Sequence, residues 1–270
     1  MPLTAIVLTL DAARHVEECL GTLGWADERV VLDGGSRDGT RALALRAGAR
    51  VHTRAFDTFA RQRSYALALA RGDWVFFVDA DERVCAELAA EVRAGVADTT
   101  HRGLWVPRRN IILGGWVRHG GWYPDHQLRV LRRGYARYDE RRPVHEVPSV
   151  AGSTGYVSAE LLHLNYERLP DLWRKQWRYA RQEALGLCWR AVPARPHSFV
   201  LQPAREFQRR YLALGGWRDG WRGLLLATAM AAATLATYCF LAQMQCDPRR
   251  ARGAARPDPD ATEERVAPRR

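Results

Sequence analysis

The chain has 270 residues, 47% of them hydrophobic and 26% charged, the composition of an ordinary globular protein of one or two domains. Its net charge of +11 and pI near 10 point to anionic partners: nucleic acid, phosphorylated small molecules or an acidic membrane surface. Five widely spaced cysteines (Cys19, Cys85, Cys188, Cys239 and Cys246), with no CxxC, argue against a disulfide framework or a zinc site and fit a reducing compartment.

The start, MPLTAIVLTLDAARHVEECL, has neither a basic leader nor an apolar run of signal length, so it reads as a strand and a helix with a cytosolic N-terminus. Residues 4–10 form a buried β run and residues 12–23 follow with helical spacing. A second strand covers 29–32, and the polar, glycine-rich GGSRDGT leads into a helix ending near residue 47. A third strand covers 50–54, a helix 59–70, a fourth strand 73–78 and another helix about 84–96. Continuous apolar strands separated by helices predict βαβ units and a parallel sheet covered on both faces.

In such sheets ligands bind beyond the carboxyl ends of the strands. Asp11, Asp33 and the acids of WVFFVDADE (residues 74–82) all fall there. Asp11 or Asp38 alone reads as a cap or turn former. Asp79, Asp81 and Glu82 together do not, because a cap needs one carboxylate and three in four residues repel unless a cation sits among them. Hard oxygen donors suit Mg²⁺ or Mn²⁺, completed by substrate phosphates. A basic protein with an acidic, metal-binding rim is poised for a phosphorylated substrate such as a nucleotide.

The ordered set VLTLDAARHVEECL, VVLDGGSRDGT and FARQRSYALALARGDWVFFVDADE resembles glycosyltransferase family 2, whose members have the GT-A fold. RRNIILGGWVRHGGWYPDHQLRVLRRGYARY followed by RRPVHEV resembles the bacterial branch that adds glucose or a related sugar to the lipopolysaccharide core. A lone DxD carries little weight; the ordered combination is specific. The resemblance covers roughly residues 3–190 and implies a Rossmann-like α/β domain over 1–165; composition adds a helical, membrane-associated region over 166–246 and a disordered tail over 247–270. It further implies that Thr9, Asp11 and Asp33 hold the uracil and ribose of a UDP-sugar, and that Gln62 and Arg63 lie near the nucleotide phosphates. Asp79 would face ribose or metal, Ala80 would lie against the nucleotide sugar, and Asp81 would coordinate Mn²⁺ or Mg²⁺ on the diphosphate, with Asp79 and His145 as further ligands. Asp125 matches the family's base for the acceptor proton, with Glu82 the second choice. Two departures, Asp11-Ala12 for the usual Asn-Glu and Ser64 for a frequent Asn, bear on nucleotide preference more than on the reaction.

His145 and His163 compete as the late histidine with which this fold often closes its metal site; a satisfied core role is the plainer reading of each. Glu82, His119, Trp122 and His163 are candidates for the sugar or acceptor pocket, where Gly120 and Gly121 allow close backbone approach. Ten arginines against three acids between residues 101 and 142 suit an anionic acceptor, a glycolipid or oligosaccharide.

Residues 169–187 and 199–214 read as helices rich in Arg and Trp, the composition of a membrane-interface segment. GLLLATAMAAATLATYCFLAQM (223–244) carries no charge and would span about 33 Å as a helix. Ala and Thr insert weakly and arginines at both ends give no orientation, so a buried core helix or an in-plane anchor fits as well as a span. Membrane association without a fixed crossing is expected, and for a glycosyltransferase of this kind its place is the cytoplasmic face of the inner membrane. Two other classes remain open. A nucleotidyltransferase would share the acids and metal, but LTLDAARH is not a glycine-rich phosphate loop. A nucleic-acid-binding protein would explain the charge but not the acidic cluster, so no nucleic acid is expected as a partner.

Overall fold

The computed structural model describes residues 1–98, 100–139 and 147–247. His145 and, apart from Asp247, the expected tail lie outside them. In chain order the elements are β1 (Leu3–Thr9), α1 (Val16–Gly21), β2 (Glu28–Asp33), α2 (Thr40–Arg46), β3 (Arg50–Thr53), α3 (Phe59–Leu69), β4 (Trp74–Asp79), β5 (Glu82–Val84) and α4 (Ala86–Ala97). They continue with β6 (Gly103–Ile112), β7 (Gly115–Trp116), β8 (Asp125–Arg132), β9 (Ala136–Arg137), β10 (Ser149–Val150), β11 (Thr154–Tyr156) and β12 (Leu161–Tyr166). The remainder is helical: α5 (Leu169–Trp189), α6 (Ser198–Phe207), a π-helical turn (Gln208–Ala213), a 3₁₀ turn (Gly216–Asp219) and α7 (Gly220–Cys246).

The main sheet runs β3-β2-β1-β4-β8-β6-β12-β5. Its first four strands are parallel, with Thr9 opposite Asp33 and Leu8 opposite Asp79, so the strand ends line up as expected from the sequence. β8 then joins β4 antiparallel and β12 joins β5 antiparallel, which makes the sheet mixed. The continuous apolar strands have the predicted cause. Val7, Val31, Phe76 and Val78 pack with Leu20, Leu88 and Val92, while Ile6, Val30, Leu32, Val75 and Phe77 pack with Ala60, Ala66 and Leu131. Side chains alternate along a strand, so both faces are covered and neither can be polar.

The chain divides into two compact units. Among the described residues, the first holds 1–108 and 126–163 and the second holds 109–125 and 164–247. The second unit joins 109–125, a stretch whose sequence reads as part of the sheet domain, to the helices that follow β12. Its core forms from Ile112, Val117, Tyr166, Leu172, Leu226 and Ala229. Asp219 ties the 109–125 segment into this unit by accepting hydrogen bonds from the backbone N–H groups of Arg118 (3.2 Å) and His119 (2.7 Å). Gly223 meets a strict steric limit: a Cβ there would collide with the Gly216 carbonyl oxygen. The residues from 216 to 246 make the one helical stretch, among those described, that is long and apolar enough to cross a membrane.

Candidate active site

The loops that follow β1 and β2 are stitched together by the acids at their heads. Asp33 is fully buried. Its Oδ1 accepts from the Thr9 hydroxyl at 3.1 Å and also from the Ser36 hydroxyl; its Oδ2 accepts from Gly35 N (3.0 Å) and Ser36 N (2.9 Å). Asp11, with φ +50°, accepts from Arg37 N at 2.8 Å and donates its own N–H to Ser36 Oγ. Thr9, Asp11 and Asp33 therefore meet, as the sequence implies, but in the structure they spend their polar atoms on ordering GGSRDGT. Gln62 does the same for the turn after β3, donating to the carbonyls of Arg54 (3.2 Å) and Ala55 (3.0 Å).

The acidic cluster is where sequence and structure differ most. Its charges were expected to need a metal cation, yet two of its three carboxylates have protein cations. Arg129 donates to Asp79 Oδ2 at 2.6 Å and to Glu82 Oε1 at 2.7 Å; Arg63 approaches Asp79 at 3.3 Å and Arg108 approaches Glu82 at 3.7 Å. Glu82 is fully buried, and its second oxygen accepts from Asp79 N at 2.7 Å. It holds the end of β4, and both of its oxygens are engaged. That position does not match a pocket residue or a base free to meet an acceptor. Arg83 closes the turn from the other side, donating to the carbonyls of Ala80 and Glu82 and to Glu18.

The electrostatics follow from these contacts. Burial works against ionising Asp79, but the Arg129 and Arg63 guanidiniums outweigh it and hold the carboxyl well below the usual range. Burial pushes Glu82 up; Arg129 opposes this, but the neighbouring Asp79 charge adds to the rise. Arg129, also buried, is held protonated by the two carboxylates against the cost of its own desolvation.

Asp81 is placed differently. It occupies the two-residue turn between β4 and β5, its side chain about one-third exposed, and His163 Nε2 stands 3.4 Å from its Oδ2. The sheet puts the histidine there: β12 pairs with β5 so that His163 lies opposite Glu82, the residue after Asp81. A carboxylate oxygen and an imidazole nitrogen could hold Mn²⁺, and this donor pair fits Mn²⁺ better than Mg²⁺, which prefers oxygen. Two protein ligands leave the remaining positions to phosphate oxygens and water. Among the described residues no cluster of three or more His, Cys, Asp or Glu is placed for a metal. Asp79, which the sequence offered as a further ligand, is instead taken up by arginines.

Residues 5–156 match the family model described as glycosyl transferase family 2. The chain belongs to glycosyltransferase family 2. Over 269 residues, this glycosyltransferase is 30% identical to the lipopolysaccharide core biosynthesis glycosyltransferase LpsC of Rhizobium meliloti (strain 1021), covering 96% of this chain and 97% of that one. A TPR repeat-containing protein of Synechococcus elongatus is 34% identical over 143 residues, which is 52% of this chain and 34% of that one. Among solved structures, glucosyl-3-phosphoglycerate synthase from Mycobacterium tuberculosis, in complex with Mn²⁺, UDP and glucosyl-3-phosphoglycerate, is 22% identical with a TM-score of 0.34. That match covers 42% of this chain and 45% of that one. Family membership makes the protein an enzyme, a glycosyltransferase in place of the nucleotidyltransferase alternative.

The remaining candidates of this glycosyltransferase lie in the second unit. Asp125 opens β8 and accepts from Asn110 Nδ2 at 3.4 Å; the same Asn110 nitrogen donates to the Trp122 carbonyl at 2.9 Å. Trp122 packs edge-on to Tyr166, and His119 Nδ1 pairs with Asp219 at 3.1 Å. Sequence reasoning missed Arg129 and Arg108 as partners of Asp79 and Glu82, and Arg83 as the clasp of their turn. One signal was available for Arg129: it interrupts QLRVL, where flanking apolar residues predict a buried strand, and a buried arginine requires an acid.

Proposed function

We propose that this glycosyltransferase moves a hexose, glucose first among the candidates, from a UDP-sugar to a lipopolysaccharide-core or other lipid-linked glycan. The transfer inverts the anomeric centre, depends on Mn²⁺ or Mg²⁺ and takes place at the cytoplasmic face of the inner membrane. The observation that carries this reading is the Asp81–His163 pair, at 3.4 Å in a partly exposed turn beyond the strand ends. The similarity to LpsC along nearly the whole of both chains supports the choice of acceptor class.

Each residue then has a task. Asp81 and His163 would hold the cation, which when bound supplies Lewis-acid compensation of the leaving diphosphate. Arg129 and Glu82 keep the end of β4 and its turn fixed, so that Asp81 is presented in one position. Thr9 and Asp33 order the loop on which uracil and ribose rest. Asp125 takes the proton from the acceptor hydroxyl as it attacks the anomeric carbon, in preference to Glu82, whose oxygens are occupied. The long apolar helix α7 associates the enzyme with the membrane.

Turnover of UDP-glucose on truncated lipopolysaccharide, read as UDP release, tests this. Asp81→Ala is expected to lose at least about a hundredfold in kcat without recovery at high Mn²⁺. Asp125→Asn should lose about 10²–10⁴ while the donor still binds. Wild-type turnover in Asp81→Ala would remove the reading.

A further inference from the structure

The second unit contains a cleft that the transfer reaction does not use. It has a volume of about 550 Å³ and is lined by Arg174, Trp177, Arg178 and Arg181 of α5 and by Phe240 and Met244 of α7. The four α5 residues are spaced to share one face of that helix and are exposed to solvent. Trp177 is 60% exposed and packs edge-on against Phe240, ring centroids 5.2 Å apart, so an aromatic wall stands open beside three guanidiniums.

The charges at this cleft are not balanced from within. Of the two acids on α5, Asp171 pairs with Arg174 at 3.2 Å and Glu183 pairs with Arg190 at 3.1 Å. α7 carries no acid along its 27 residues. Arg178 and Arg181 thus have no acidic partner among the described residues. A solvated helix face accounts for exposed arginines, but not for a cleft whose floor is Phe240 and Met244 and whose wall is a tryptophan. A ligand that satisfies both surfaces has an anionic, oxygen-rich head and an apolar chain. Guanidiniums take phosphate oxygens in a bidentate fork, and aromatic residues with methionine accommodate acyl methylenes.

We propose that this cleft binds one molecule of anionic phospholipid, with its phosphate on Arg178 and Arg181 and an acyl chain along Trp177, Phe240 and Met244. The inference rests on the membrane-associated reading of the second unit and is independent of the donor chemistry. Binding here would orient the helical unit on an acidic leaflet and make attachment selective for lipid charge.

Flotation of the purified full-length protein with vesicles tests it, using pure phosphatidylcholine and phosphatidylcholine mixed with phosphatidylglycerol, without nucleotide sugar. The wild-type protein should partition more strongly to the phosphatidylglycerol vesicles. Arg178→Gln/Arg181→Gln should cut that partitioning roughly thirtyfold at low salt and leave phosphatidylcholine binding unchanged. Trp177→Ala should weaken binding to both vesicle types alike. All three side chains are exposed, so unchanged melting temperatures would show that the variants are folded. Equal wild-type binding to the two vesicle types would overturn the lipid site and leave membrane association standing. Binding to neither would overturn both. Release by inorganic phosphate, at matched ionic strength, would make the cleft a soluble-anion site and overturn the lipid assignment.

Discussion

In the first unit Arg129 is 4% exposed and lies between two carboxylates; in the second, Arg178 and Arg181 stand in solvent without an acidic partner among the described residues. The same side chain serves as an internal counter-ion in one place and as an unspent charge in the other. All but one of the 41 basic residues are arginine, so residue type alone says nothing about which role applies. The neighbours decide it. The acids divide in the same way: Asp79 and Glu82 are neutralised from within, and Asp81, two residues from one and adjacent to the other, is left facing a histidine in a partly exposed turn.

Truncating one arginine from each region gives the widest contrast. Arg129→Ala leaves two carboxylates facing each other at the end of β4 and should cost about 3–5 kcal/mol, a fall in melting temperature on the order of 10 °C. Arg178→Ala should change stability by less than about 0.5 kcal/mol. Thermal unfolding of both variants checks this; similar losses would erase the distinction between the two roles.

A smaller effect is expected at the start of β2, where Glu28 is partly buried beside Arg50. Burial pushes the Glu28 carboxyl up, but hydrogen bonds from Arg71 N, the Thr4 hydroxyl and Arg50 outweigh it, so the folded-state value lies below the ordinary one. A group of this kind stabilises the fold above its unfolded pKa, and that contribution is lost as pH falls through the folded value. Melting temperature should therefore drop more steeply on acidification in the wild type than in Glu28→Gln. At neutral pH the variant should be less stable by about 1 kcal/mol. Parallel pH profiles would show that the hydrogen bonds to Glu28 add nothing.

The parallel half of the fold was legible because each of its elements announces itself locally. Uninterrupted apolar runs such as VVL and WVFFV can only be strands buried on two faces, and polar turns with glycine mark their ends. The strands from β5 onward were not, since a three-residue strand like β5 has no periodicity to read. The transfer of residues 109–125 to the helical unit depends on Asp219, about a hundred positions away. The site divides in the same way. Strand-end acids are visible in the chain, and Asp81 was named from them. Choosing His163 as its neighbour takes the β5–β12 register, and bringing Arg129 to Asp79 and Glu82 takes the pairing of β8 with β4. Long-range pairing leaves no trace in a single sequence apart from an occasional charge, such as Arg129, set among apolar residues.

On the proposed function, Asp81 and His163 form the metal-dependent part of a donor site. Thermal stability of the wild type, Asp81→Ala and His163→Ala, with a panel of UDP-, GDP-, ADP- and dTDP-sugars in the presence and absence of Mn²⁺, tests it most directly. A ligand at a hundredfold excess over its Kd stabilises the native state by about 2.7 kcal/mol. The melting temperature should rise with UDP-sugars only when Mn²⁺ is present, and the rise should disappear in both variants. A rise that is independent of Mn²⁺ and equal in all three proteins, or no rise with any nucleotide sugar in well-folded protein, would contradict it.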